Sequence, residues 1–84
     1  MKSIFVGNLP WSVTDLELKE KFSEIGGTIS ARIIKDRISG RSKGFGFVDM
    51  EDIDADKAIE NLNGIDFNGR KIVVNLARPK ESKQ

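Results

Sequence analysis

The sequence predicts an α+β fold with the element order βαββαβ. Three observations carry that prediction. Four runs of β-forming residues are bounded by turn residues. Two stretches of helical periodicity fall after the first and third runs. One run, residues 43–49, alternates sharply between small or aliphatic residues and aromatic or charged ones.

Ser3-Ile4-Phe5-Val6 reads as the first strand, ended by Gly7-Asn8-Leu9-Pro10. Thr14-Asp15-Leu16-Glu17 has the form of a capping box, because a threonine hydroxyl and a glutamate three residues on can each satisfy a backbone N–H at a helix start. Leu18, Phe22 and Ile25 then recur at helical spacing, which predicts a helix over about 14–25 closed by Gly26. Residues 29–35 form the second strand, and Asp36 to Ser42 a polar loop holding Gly40. Residues 43–49 form the third strand. Asp52 or Asp54 can cap a second helix, in which Ala55, Ala58, Ile59 and Leu62 share a face and which Gly64 ends. Asn68-Gly69 is a hairpin turn signal between Phe67 and a last strand over about 71–76. The order is the split-βαβ, or ferredoxin-like, arrangement: a four-stranded antiparallel sheet with both helices on one face.

Such a sheet leaves its other face bare, so strand parity decides which side chains are presented. In the third strand Gly44, Gly46, Val48 and Met50 share one side, and Lys43, Phe45, Phe47 and Asp49 the other. The aliphatic set suits a core, with the glycines letting a helix approach closely. The reverse parity would bury Lys43 and Asp49 and expose Ile4, Val6 and Val48. Phe5, Phe45 and Phe47 are therefore expected on the open face, although phenylalanine in a strand more often belongs to the core. An exposed aromatic patch of this kind marks a binding site.

Composition narrows what could bind. The chain has 84 residues, 14 Lys and Arg against 13 Asp and Glu, and neither Cys nor His. One domain is expected at this length. The missing thiol and imidazole exclude disulfides, zinc ribbons and the commonest catalytic bases, so neither metal nor cofactor is expected. No apolar run is long enough for a membrane span or a secretory signal. The near-neutral sum hides segregation: residues 30–43 carry a net of +4, residues 49–60 a net of −5, and residues 77–84 a net of +2. One side of the molecule should attract polyanions and another repel them, although solvated faces would give the same runs.

Lys43-Gly44-Phe45-Gly46-Phe47-Val48-Asp49-Met50 resembles the octamer motif of RNA-recognition motif domains, departing only at Met50, where that pattern has an aromatic residue. Ile4-Phe5-Val6-Gly7-Asn8-Leu9 resembles the shorter hexamer motif of the same family. The resemblance extends over nearly the whole chain, through Gly26, the Ala58-Ile59 helix face, Asn63-Gly64 and Gly69-Arg70. It implies that Phe5 and Phe47 stack under two bases, that Phe45 inserts near the sugars and that Lys43 pairs with a phosphate. Met50 lies on the buried parity, so its departure should alter packing rather than the platform.

Single-stranded RNA is the expected partner, because its bases can splay across the sheet; single-stranded DNA is the alternative within the same class. By alternation Arg32 and Ile34 on the second strand, and Val73 and Asn75 on the last, flank the aromatics. Asn75 can offer donor and acceptor to a base edge, and Arg32 can meet a phosphate or stack on a base. Asn8 is a turn residue with a base contact open to it. Lys35, Arg37 and Arg41 around the loop, and Arg78 and Lys80 after the last strand, are expected to position phosphates. Trp11 is expected to pack against the helix start, the alternative being a place near a partner. Phe67 is expected to close the core.

Three competing readings have their own signatures. A cold-shock β-barrel shares the Lys-Gly-Phe-Gly-Phe run but has few helices. A protein-interaction module on the same scaffold would show exposed helix hydrophobes, for which Leu16 and Ile53 are the candidates. Catalysis is not expected: the glycine-rich stretch from Gly40 to Gly46 lacks phosphate-loop spacing, and nothing pairs a nucleophile with a base. The expected protein is an intracellular monomer, with a domain over residues 1–79 and a short polar tail over 80–84. That would be cytoplasmic in a bacterium, where small stand-alone members of the family occur, and cytoplasmic or nuclear otherwise.

Overall fold

The computed structural model describes residues 1–77. Its elements run β1 (Lys2–Gly7), α1 (Asp15–Ser23), β2 (Thr28–Lys35), β3 (Ser42–Met50), α2 (Asp52–Leu62), β4 (Asp66–Phe67), β5 (Arg70–Lys71) and β6 (Val73–Leu76). Four strands pair antiparallel in the order β2-β3-β1-β6, so the expected α+β architecture forms with the two motif-bearing strands side by side at its centre. The α1 helix packs over β2, and α2 over β1 and β6.

The core is built from one face of the sheet and the inner faces of the helices. Ile4, Val6, Val48, Met50 and Val74 meet Leu18 and Phe22 of α1 and Ala55, Ala58 and Leu62 of α2, with Phe67 and Ile72 closing one side. Truncating a ring such as Phe22 to alanine would cost about 3–5 kcal/mol. Met50 is fully buried, as its parity requires. The Phe67 ring is covered in turn by the Lys21 ammonium, 5.7 Å from its centroid.

The capping box at α1 is complete: the Thr14 hydroxyl accepts from the Glu17 N–H, and the Glu17 carboxylate accepts from the Thr14 N–H. Asp15 turns its carboxylate outward from α1 to accept from the N–H of Ile33, 2.7 Å away, on the edge strand β2.

Four local expectations are corrected. The second helix is capped by neither Asp52 nor Asp54; Glu51 holds the cap position without a side-chain bond, because Asp54 reaches across to accept from the Gly27 N–H at 2.9 Å. Gly26 is not a left-handed helix cap. The cap is Glu24, and Gly26 leaves room for Asp54, whose carboxylate oxygen would lie 2.6 Å from an added Cβ. Gly46 admits backbone rather than helix: any Cβ there would strike the Arg32 carbonyl of the neighbouring strand. Finally, the Asn68-Gly69 turn joins β4 to β5 in a small separate ribbon, and the sheet's fourth strand is the shorter β6. Asn68 and Gly69 both have positive φ, which suits the right-handed twist of a tight hairpin.

Candidate nucleic-acid interface

Burial alternates along the two central strands. Ile4 and Val6 of β1, and Gly46, Val48 and Met50 of β3, are buried, whereas Phe5, Phe45 and Phe47 are half-exposed on the opposite face. The pairing aligns these residues into a row. Arg32 of β2 lies opposite Phe47, Phe47 opposite Phe5, and Phe5 opposite Asn75 of β6. Directly opposed residues share a face, so one cation, two rings and one amide cross the whole sheet.

The three rings support one another. Phe5 and Phe45 lie 5.7 Å apart at 32°, Phe5 and Phe47 5.9 Å apart at 66°, and Phe45 and Phe47 6.2 Å apart at 88°. These are tilted and edge-to-face contacts, which hold each ring while leaving part of its surface open. The Arg32 guanidinium sits 5.9 Å from the Phe47 centroid, within cation–π range. Gly7 makes room for this cluster, because a Cβ there would come within 2.8 Å of the Phe5 ring.

At one end of the platform Asp49 accepts from the Ser3 hydroxyl at 2.6 Å and from the Ser30 hydroxyl at 3.0 Å. This polar row ties β1, β3 and β2 across the open face. It also means that the acidic run 49–60 does not lie wholly on the helix side.

Lys43 is exposed at the start of β3, where the positive φ of Gly44 interrupts plain alternation and the Gly44 carbonyl accepts from the Leu9 N–H at 2.8 Å. Arg37 and Arg41 are exposed in the loop between β2 and β3. Asp36 shapes that loop: its carboxylate accepts from the N–H groups of Ile38 at 2.8 Å and Ser39 at 3.2 Å. Those two backbone bonds hold its pKa below the ordinary 3.8. Ile38 stands 98% exposed.

The other expected residues divide. Asn8 spends both ends of its amide within the protein, donating to the Lys71 carbonyl at 2.6 Å and accepting from the Arg70 guanidinium at 2.6 Å. Arg78 and Lys80 lie outside the described residues. Trp11 does not pack against the helix start; it is 71% exposed, because Leu9 and Val13 on either side already fill the space beneath the loop. Leu16 and Ile53 are exposed as well.

Sequence reasoning missed Arg70, Gly7 and the Ser3–Asp49–Ser30 row. Arg70 is a cation placed beside the end of β1 by its bond to Asn8; only its position after the Asn-Gly turn hinted at that. Gly7 could have been found as the small residue two positions after an outward-facing ring, and the serine–aspartate row from parity and register together. Among the described residues there is no cluster of acidic side chains suited to a metal, and no helix is long and apolar enough to cross a membrane.

Comparison with known proteins matches this geometry. The model of the RNA recognition motif family matches residues 4–73. The chain is similar to the 31 kDa chloroplastic ribonucleoprotein of Nicotiana plumbaginifolia, with 49% identity over 82 residues, which is 96% of this chain and 28% of that relative. It spans less than a third of such relatives. Among solved structures it is similar to RNA binding protein PG1, at 44% identity and a TM-score of 0.89, covering 95% of this chain and all of that one. It is also similar to the Sex-lethal protein in complex with RNA, at 38% identity and a TM-score of 0.88, covering 93% of this chain and 47% of that one.

Proposed function

The chain belongs to the RNA recognition motif family, and on that premise we propose that it binds single-stranded RNA on the open face of its sheet, without catalysis. The row Arg32–Phe47–Phe5–Asn75 carries this reading. Two bases lie on Phe5 and Phe47, and Phe45 packs against the sugar between them. A base stacked on an aromatic ring contributes about 1–3 kcal/mol and tolerates any base, since every base has a flat face.

Asn75 reads a base edge from the far side of the row. Arg32, Lys43, Arg37 and Arg41 meet phosphates, which positions the strand without reading its sequence. Arg78 and Lys80 extend that set. Asn8 acts through Arg70, whose guanidinium it holds at the end of β1. The protein works inside the cell as a monomer and needs neither cofactor nor metal. The similar Sex-lethal protein in complex with RNA supports RNA as the ligand.

Titrating single-stranded RNA into isotope-labelled protein should move backbone resonances in 3–8, 32–34, 43–49 and 73–80. Movement centred on 52–62 instead would overturn the reading. A matched DNA oligonucleotide distinguishes the sugars, since only RNA offers the 2′-hydroxyl.

A further inference from the structure

We propose a second nucleotide subsite beside the sheet, in which Trp11 stacks one base and Lys35 and Arg41 hold its phosphate; this rests on the RNA-binding reading above. The loop before α1 and the hairpin between β2 and β3 enclose a cleft of about 520 Å³, lined by Trp11, Asp15, Leu16, Lys35, Arg41 and Ser42 among others. That volume falls within the ~300–1,000 Å³ common for small-molecule sites. Trp11 is 71% exposed and Leu16 65%, so an indole and an aliphatic side chain stand bare within it.

Two features select a nucleotide rather than a protein as the occupant. Lys35 and Arg41 are both exposed on the hairpin side, whereas the carboxylate of Asp15 is already directed to the Ile33 N–H. An aromatic face beside cations that form no ion pair among the described residues is the pairing that base and phosphate require together. The cleft also lies beside the start of the strand that carries Phe45 and Phe47. Ser42 lines it, Lys43 and Phe45 follow on the same strand, and the Leu9–Gly44 backbone bond joins the Trp11 loop to that strand. A strand lying on Phe5 and Phe47 would reach the cleft by passing Phe45 and Lys43 and turning over the end of β3.

Trp11 is the only tryptophan and the chain has no tyrosine, so intrinsic emission reports this position alone. Two RNA oligonucleotides are compared: one of about three nucleotides, enough for the sheet, and one of about eight. The longer should bind more tightly and quench the emission, and the shorter should leave it unchanged. Trp11→Ala should weaken binding of the longer RNA about tenfold and leave the shorter unaffected. Trp11→Phe, which keeps a ring, should recover most of the loss. Equal affinities with unchanged emission would overturn the subsite, leave the sheet reading standing and assign Trp11 to a protein contact. Failure of both RNAs to bind would overturn the sheet reading, and the subsite with it.

Discussion

Phe47 meets Phe5 and Phe45 in edge-to-face contacts and stays half-exposed on the open face. Its removal should therefore affect binding far more than folding. Phe47→Ala is expected to weaken RNA affinity about tenfold, while thermal unfolding shifts much less than for a core change such as Phe22→Ala. Gly7→Ala tests the same surface without removing a ring. Its φ is ordinary, so the backbone accepts alanine, but the new Cβ displaces the Phe5 ring from its place. Weaker RNA binding with an unchanged circular dichroism spectrum is the expected result. Destabilisation by Phe47→Ala as large as that of a core truncation would mean that the aromatic face is the buried one. The parity of these residues was legible because it follows from strand geometry: a period of two leaves only two choices, and one would have buried Lys43 and Asp49. Trp11 was not legible, since a loop has no period. Its exposure follows from Leu9 and Val13 filling the interior on either side.

The four strands of the main sheet and both helices were legible in order and type, whereas the β4–β5 ribbon and the ends other than the start of α1 were not. An end depends on which polar group a side chain finds, and those partners are distant in sequence. Asp54 could have capped its own helix, yet it bonds to Gly27, 27 residues away. Asn63 similarly leaves the end of α2 to accept from the Val74 N–H at 2.9 Å, fixing where β6 begins. The β2–β3 loop is the opposite case, because Asp36 satisfies N–H groups only two and three residues on. That local design makes it testable by pH. The lowered pKa of Asp36 means that its contribution to loop order is present above about 3.8 and is lost as pH falls through the still lower folded value. Amide proton shifts of Ile38 and Ser39 should titrate together with a midpoint below 3.8, and Asp36→Ala should abolish that titration. A midpoint at or above 3.8 would show that these bonds do not form in solution.

A net charge of +1 argues against a polyanion ligand only if charge is spread evenly, and in this molecule it is not. Arg32 lies on the open face, and Lys35, Arg37, Arg41 and Lys43 are exposed around the adjoining hairpin. Asp52, Asp54, Asp56 and Glu60 lie on α2, which packs against the other face of the sheet. Asp49 is the acid on the binding face, and it accepts two hydroxyl bonds there. At physiological salt, charges separated by more than about 8 Å are largely screened, so a bound strand responds to the cations beside it rather than to the acids behind the sheet. Binding should then depend on salt as if the protein were basic. Neutralising about three phosphates on a single strand predicts a slope near −2 for log affinity against log salt concentration. Arg41→Ala should make that slope shallower by less than one, with little effect on which bases are preferred, because a phosphate contact carries no sequence information. Phe47→Ala should lower affinity at every salt concentration and leave the slope in place. Fluorescence anisotropy across a salt series separates the two. A slope near zero for the unaltered protein would mean that stacking alone holds the RNA and that the cations around the hairpin serve another purpose.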